Sequence, residues 1–279
     1  MLNIKIVSDS SGDLYTLDGA DFAVAPLKIV TSEKEYLDDV NLNLRGMLDD
    51  LKAYNGKSGT SCPNADDYLA AFGDAQYVFC ITITATLSGS YNAARLAAEM
   101  YREAHPDRKV YVCNSLTTGP EMALIMEKVK ELAATYDDFD ALCADVQAYA
   151  GKTGLLFMLE SLRNLANNGR VSPLVAKMAG FLGIRLVGKA SDQGDLEPMH
   201  KCRGEKKALE TMVAELKNLG YNGGKLFIGH VYNESAAKEL AKLMEKEFGR
   251  LSELRIYPLG ALCSFYAEEG GLLVGFEKA

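Results

Sequence analysis

The sequence has no tryptophan, only three histidines (His105, His200 and His230), and no apolar stretch approaching the roughly 18 residues needed to cross a bilayer. So few histidines leave little material for a His-rich metal centre. The six cysteines, Cys62, Cys80, Cys113, Cys143, Cys202 and Cys263, form no C-x-x-C pair and keep no zinc spacing with a histidine. They read as reduced thiols, with Cys80 and Cys113 filling core positions inside apolar runs. Positive charge is also short. The 30 Lys+Arg stand against 38 Asp+Glu, and a formal net charge of -8 offers no field to a phosphate backbone or an anionic lipid surface. The chain turns polar at Ser8 and Asp9, too early for a secretory leader. The expectation is a soluble, cytoplasmic protein without a metal or cofactor, binding no nucleic acid and making no stable membrane insertion.

Nucleotide motifs are missing as well. No G-x-G occurs, so the dinucleotide fingerprint is absent. Gly56-Lys57-Ser58 and Gly151-Lys152-Thr153 look like the end of a Walker A loop, but the glycine required five residues earlier is Leu51 in one case and Val146 in the other. Both read as ordinary loops. Ser88, in Thr86-Leu87-Ser88-Gly89-Ser90, lacks the preceding glycine of a hydrolase elbow. A serine or thiol hydrolase using Ser88 or Cys62 with His230, at the end of a predicted strand, stays open as an alternative.

What is present is a chain of 279 residues, 48% hydrophobic, in which strand-like and helix-period segments alternate. Strands are expected over 3–7, 23–30, 76–84 and 109–113. Helices are expected around Leu44, Leu48 and Leu51, and over 63–72, 88–103, 119–135 and 138–150. That alternation implies a parallel sheet wrapped by helices. The pattern changes near Gly151. A strand over 155–159 is followed by short helices from Ser161 and Pro173, then by extended pieces at 184–187 and 196–202 flanking the turn residues 191–194, an antiparallel hairpin. A helix at 205–219, a strand at 225–230, a helix at 235–248 and strands at 251–257 and 272–276 complete the chain. The fold class is α/β: two α/β domains, 1–152 with a parallel sheet and 153–279 with a mixed sheet, and a ligand cleft between them.

Open α/β sheets present ligands at the loops that follow their strands. Three such loops are rich in hydroxyls: Ser8-Asp9-Ser10-Ser11-Gly12, Gly59-Thr60-Ser61-Cys62-Pro63 and Thr86-Leu87-Ser88-Gly89-Ser90. Each alone is explained by capping of helix amides. Together, two helix N-termini and several neutral donors in one crevice suit a small anionic group such as a carboxylate, without a buried Lys or Arg.

These segments, in this order, resemble the DegV family. Its opening turn corresponds to Ser8-Asp9-Ser10-Ser11, its P-L segment to Pro26-Leu27, and its T-S-x-P signature to Thr60-Ser61-Cys62-Pro63. Its L-S-G-T-Y corresponds to Leu87-Ser88-Gly89-Ser90-Tyr91, its G-G-R to Asn168-Gly169-Arg170, and its K-x-R-G to Lys201-Cys202-Arg203-Gly204. The resemblance implies a long-chain fatty acid held between two α/β domains, its carboxylate bound by Thr60, Ser61, Ser88 and Gly89. Tyr266 falls where the family commonly has a histidine; a phenol can donate to a carboxylate but carries no imidazolium charge. Glu268 and Glu269 take neutral family positions. The resemblance further implies a rim formed by Arg170 and Arg203 that faces a separate ATP-dependent fatty acid kinase subunit, with no catalysis by this chain. Leu155, Phe157, Met158, Leu159, Met178, Phe181 and Leu182 are candidates to line the acyl tunnel. A binder of another small carboxylate is the remaining alternative.

Overall fold

The β-branched and aromatic runs pair as strands. In the computed structural model, which describes residues 2–172, 175 and 183–279, β1 (Ile4–Asp9) lies between β2 (Asp21–Ala25) and β6 (Tyr77–Thr82), and β7 (Lys109–Asn114) pairs with β6, all in parallel. Successive strand residues point to opposite faces. Ile4, Ile6, Phe79 and Ile81 therefore pack with α4 (Pro120–Ala133) and α5 (Phe139–Ala150), while Val7, Val78 and Cys80 pack with α2 (Ala65–Phe72) and α3 (Ser90–Ala104). This is the parallel lobe expected from the alternation.

A small antiparallel sheet was not expected. The segment 23–30, read as one extended piece, divides at Pro26: β2 ends at Ala25, and β3 (Lys28–Val30) pairs instead with β4 (Glu35–Leu37) and β5 (Gly59–Ser61). Proline supplies no N–H to a ladder, so the chain changes sheets there. Strand β5 contains Thr60 and Ser61, which had read as loop. The helix around Leu44 is α1 (Leu44–Ala53).

The second lobe is a six-stranded mixed sheet in the order β10 (Leu196–Arg203), β9 (Ile184–Ala190), β8 (Thr153–Leu159), β13 (Leu272–Glu277), β11 (Lys225–His230), β12 (Glu253–Pro258). Only β11 and β12 run parallel; the other four pairings are antiparallel, including the expected β9–β10 hairpin. Helices α7 (Glu205–Asn218) and α8 (Glu234–Phe248) cover one face. Short helices α6 (Arg163–Asn167) and α9 (Ala261–Ala267) lie toward the first lobe. The helix expected from Pro173, with Met178, Phe181 and Leu182, lies outside the described residues.

Helix α4 joins the two lobes. The first half of its sequence is apolar nearly all round, and residues from Pro120 to Met126 are buried, because it packs on β1 and β6 on one side and on β8, β11 and β13 on the other. The contact with β13 is so close that a Cβ at Gly275 would stand 2.4 Å from the carbonyl carbon of Pro120. Arg255 of β12 reaches the Glu127 carboxylate at 2.7 Å and reinforces the same seam.

A second carboxyl, besides Glu127, is buried in this seam. Glu121 accepts a hydrogen bond from the Thr153 hydroxyl at 2.8 Å, and burial pushes its pKa up to about 7 against the opposing effects of Thr117, Thr153 and Lys278. A carboxyl whose folded pKa exceeds its unfolded one favours the folded state while protonated. Its contribution is full below the unfolded value near 4.5 and is lost as pH rises through about 7. Glu121→Gln is therefore expected to match the parent at pH 4.5 and to exceed it at pH 8 by on the order of 3 kcal/mol in urea unfolding. An unchanged pH profile in the variant would exclude Glu121 as its source.

Candidate ligand-binding site

Between the lobes lies a cavity of about 410 Å³, within the roughly 300–1,000 Å³ range of small-molecule sites. Its second-lobe wall is β8. Leu155, Phe157 and Leu159, at alternate positions, face the cavity. Leu156 and Met158 point the other way, into the core under α7 and α8, so Met158 is no lining residue; the two-residue strand period decides it. Ile83, Leu87, Leu196 and Leu262 close the apolar part.

One part of the wall is polar. Thr60, Ser61, Ser88, Gly89 and Tyr266 all line the cavity, joined by Cys62 and Arg170. Thr60 and Ser61 come from β5, and Tyr266 from α9. Ser88 and Gly89 immediately precede α3. The Thr60 Oγ1 and Tyr266 OH groups are 2.7 Å apart, which ties β5 to α9 across the lobes. Burial raises the pKa of the Tyr266 phenol, with Thr60 and the nearby Arg170 charge acting against it, so the hydroxyl remains a donor at neutral pH. Gly89 caps α3 without a side-chain hydrogen bond, and the N–H of Ser90 donates to Ser88 Oγ at 3.2 Å. The positive end of a 15-residue helix therefore adjoins the hydroxyls.

The neutral-donor picture needs three corrections. The first hydroxyl loop does not line the cavity: Ser8, Ser10 and Ser11 are fully buried, and they brace backbone instead. Asp9 accepts from Ser11 Oγ at 2.5 Å, Ile83 N at 2.9 Å and Ser90 Oγ at 2.6 Å, joining β1 to the loop after β6 and to α3. The N–H of Leu27 donates to Ser10 Oγ at 2.9 Å. Second, of the two helix N-termini expected there, that of α2 is closed by an Asn64–Asp67 capping box, while that of α3 adjoins the cavity. Third, Arg170 is half-buried in the wall, the only cationic side chain among the described lining residues. Its Nε donates to the Leu87 carbonyl at 3.2 Å, and its guanidinium also donates to the Asn168 carbonyl.

The remaining candidates lie elsewhere. Arg203 is exposed at the end of β10, outside the cavity wall. His230, at the end of β11, has its Nδ1 buried without a partner, and burial lowers its pKa. It does not line the cavity that Ser88 and Cys62 share, so the described residues assemble no Ser–His or Cys–His pair there. Glu268 turns away to accept from Ser161 Oγ at 2.8 Å and Asn164 N at 3.2 Å, and Glu269 pairs with Arg45 at 3.4 Å. Among the described residues, no cluster of His, Cys, Asp and Glu suits a metal ion, and no helix is long and apolar enough to cross a membrane.

Sequence reasoning missed α9 and what holds it. The N–H groups of Ala261 and Leu262 donate to the Asp38 carboxylate at 2.8 and 3.1 Å, and that of Gly260 donates to Asp13 at 2.8 Å. Tyr15 adds a 2.5 Å hydrogen bond to Asp38. Burial raises the pKa of both carboxyls, and at Asp13 the neighbouring Asp38 charge adds to it. Nothing in the sequence around Asp38 names these partners.

A family model described as an uncharacterised protein of the DegV family matches residues 3–279. A DegV domain-containing protein of Streptococcus pneumoniae is 40% identical over 277 residues, 98% of each chain. A solved DegV family protein from Eubacterium eligens, loaded with heptadecanoic acid, superposes with a TM-score of 0.96 at 43% identity, covering 99% of this chain and 100% of that one. The Streptococcus pneumoniae Fatty Acid Kinase (Fak) B3 protein loaded with linoleic acid gives a TM-score of 0.97 at 40% identity, covering 100% of both chains.

Removing the Asp38 carboxylate strands two buried N–H groups and a phenol. Each orphaned group costs roughly 1–3 kcal/mol, so Asp38→Ala is expected to lose at least about 3 kcal/mol of unfolding free energy in urea. A loss below 1 kcal/mol would mean that α9 is held by packing alone.

Proposed function

The chain belongs to the DegV family, and on that premise we propose that it is a long-chain fatty acid carrier that presents the carboxylate to a separate ATP-dependent kinase. The observation that carries this reading is the cavity itself: an apolar slot between two lobes with hydroxyl donors and a helix N-terminus on one part of its wall. Proteins of the same fold, 43% and 40% identical to this chain, hold heptadecanoic and linoleic acids.

In this reading the tail supplies affinity and the polar wall supplies orientation. Burying about 14 to 16 methylenes at roughly 0.8 kcal/mol each yields a gross gain on the order of 12 kcal/mol. Ordering the chain and its lost translation take back several of these. Thr60, Ser61, Ser88, Gly89 and Tyr266 receive the carboxylate through hydroxyl and backbone donors. Arg170 adds a positive charge beside them, and with Arg203 forms the face toward the kinase. The carboxylate oxygen is the nucleophile in acyl phosphate formation, and the partner brings ATP and its metal. The chain then works as a non-catalytic subunit in the cytoplasm, with residues 1–152 and 153–279 as its two domains.

Material as isolated is expected to carry bound fatty acid in native mass spectrometry. Ser88→Ala and Thr60→Ala should each weaken oleate binding roughly tenfold, the scale of one charge-assisted hydrogen bond. Protein that is empty as isolated and takes up neither palmitate nor oleate would overturn the carrier reading. Arg203→Glu tests the partner face, since Arg203 lies outside the cavity wall. It should lower kinase-dependent acyl phosphate formation at least tenfold and leave the loaded fraction unchanged; equal loss of both would point to a folding defect.

A further inference from the structure

The β9–β10 hairpin crosses from the edge of the second sheet to the first lobe. Its tip is a well-formed turn in which the Gly194 N–H donates to the Ser191 carbonyl at 2.9 Å and the Ser191 N–H to the Asp195 carbonyl at 2.8 Å. The approach at Gly194 is very close. Its φ is +83°, and a Cβ there would stand 2.1 Å from Thr84 Oγ1 and 3.0 Å from the Leu116 Cα. The Gly194 carbonyl accepts from Thr86 Oγ1 at 2.9 Å. Two residues beyond the tip, Leu196 lines the cavity, and two residues beyond Thr86 stands Ser88.

The loop carrying Ser88 is thus held by the second lobe at two adjacent points, Thr86 against Gly194 and the Leu87 carbonyl against Arg170. The hairpin has the means to swing away. Strand β10 is an edge strand paired only with β9, and a register shift between Pro198 and His200 interrupts that ladder. Its tip meets Thr86, itself exposed, through a single side-chain hydrogen bond that is part-buried.

We propose that Thr86 is a positioning residue that latches the β9–β10 hairpin, through the Gly194 carbonyl, onto the Ser88 loop, and that a ligand passes in and out of the cavity when this latch opens. The inference rests on the carrier reading for the identity of the ligand, while the latch itself is a property of the hairpin. Opening breaks the Thr86–Gly194 hydrogen bond, lifts Leu196 from the cavity wall and frees the loop that orients the carboxylate. Because the latch contributes to the closed state and touches no part of the ligand, weakening it speeds exchange more than it lowers occupancy.

The test follows exchange of bound oleate for deuterated oleate by native mass spectrometry on the full chain, with deuterium uptake of 184–203 measured in parallel. Thr86→Val is expected to exchange oleate about threefold faster, the low end for one half-exposed hydrogen bond, with its loaded fraction preserved. Its hairpin amides should take up deuterium faster. Thr86→Ser, which keeps the hydroxyl, should restore both rates. Gly194→Ala, forced off Thr84, should open the hairpin further. Thr86→Val matching the parent in both exchange and deuterium uptake would overturn the latch, as would Thr86→Ser behaving like Thr86→Val. A parent that binds no oleate would remove the carrier reading, and the deuterium comparison alone would then decide the latch.

Discussion

The arrangement of the cavity depends on a helix of seven residues whose N-terminus is held by carboxylates from the other lobe. A helix this short has no stability of its own, because nucleation consumes most of what its hydrogen bonds return. Asp38 and Asp13 satisfy the first N–H groups of α9 in a fully buried setting, where leaving them unpaired would be costly. Two carboxylates side by side repel, and burial together with the Asp38 charge pushes the pKa of Asp13 upward. Cys263 and Tyr266 reach the cavity because this helix stands where it does.

Asp9 performs a related task inside the first lobe. Its carboxylate gathers the 3-10 turn Ser10–Gly12, the backbone after β6 and the first residue of α3, and the Tyr68 hydroxyl completes the network through Ser90 at 2.6 Å. That fixes the start of α3, and with it Ser88 and Gly89. The loop richest in serine is therefore the frame of the site and no part of its surface. A ligand-facing hydroxyl and a bracing one have the same composition; only the three-dimensional partner tells them apart.

This is also where the sequence stopped being readable. The alternation in Leu155, Phe157 and Leu159 marks the cavity wall and, read strictly with a period of two, would have excluded Met158. The parallel order of the first lobe and the hairpin of the second follow from apolar runs and turn residues. Strands β3 and β5 have three residues each and no periodicity to detect, and they exist because they pair with each other across more than twenty residues of chain. The residues Thr60, Ser61, Ser88, Gly89 and Tyr266 were legible by resemblance to a family pattern, and the structure brings all five to one cavity. The resemblance placed Arg170 on an outer rim, and its place in the cavity wall was not legible, since the Asn168 and Leu87 carbonyls that orient it are backbone atoms.

The far end of α9 explains how an acidic residue occupies a place that suits glycine. Glu268 has φ 57° and ψ 169°, a backbone region that costs most side chains of order 1–3 kcal/mol. Its carboxylate offsets that cost by accepting from Ser161 and Asn164 and meeting Arg163, which fastens the end of α9 to the start of α6. The helix is then pinned at its N-terminus by the first lobe and at its C-terminus by the second. Any change in the angle between the lobes must be borne by α9 or break one of its anchors. Tyr266, bonded to Thr60 from within this span, ties the position of the hydroxyls to the closure of the lobes. The hydroxyls on the polar wall are thus held in register by contacts from both lobes.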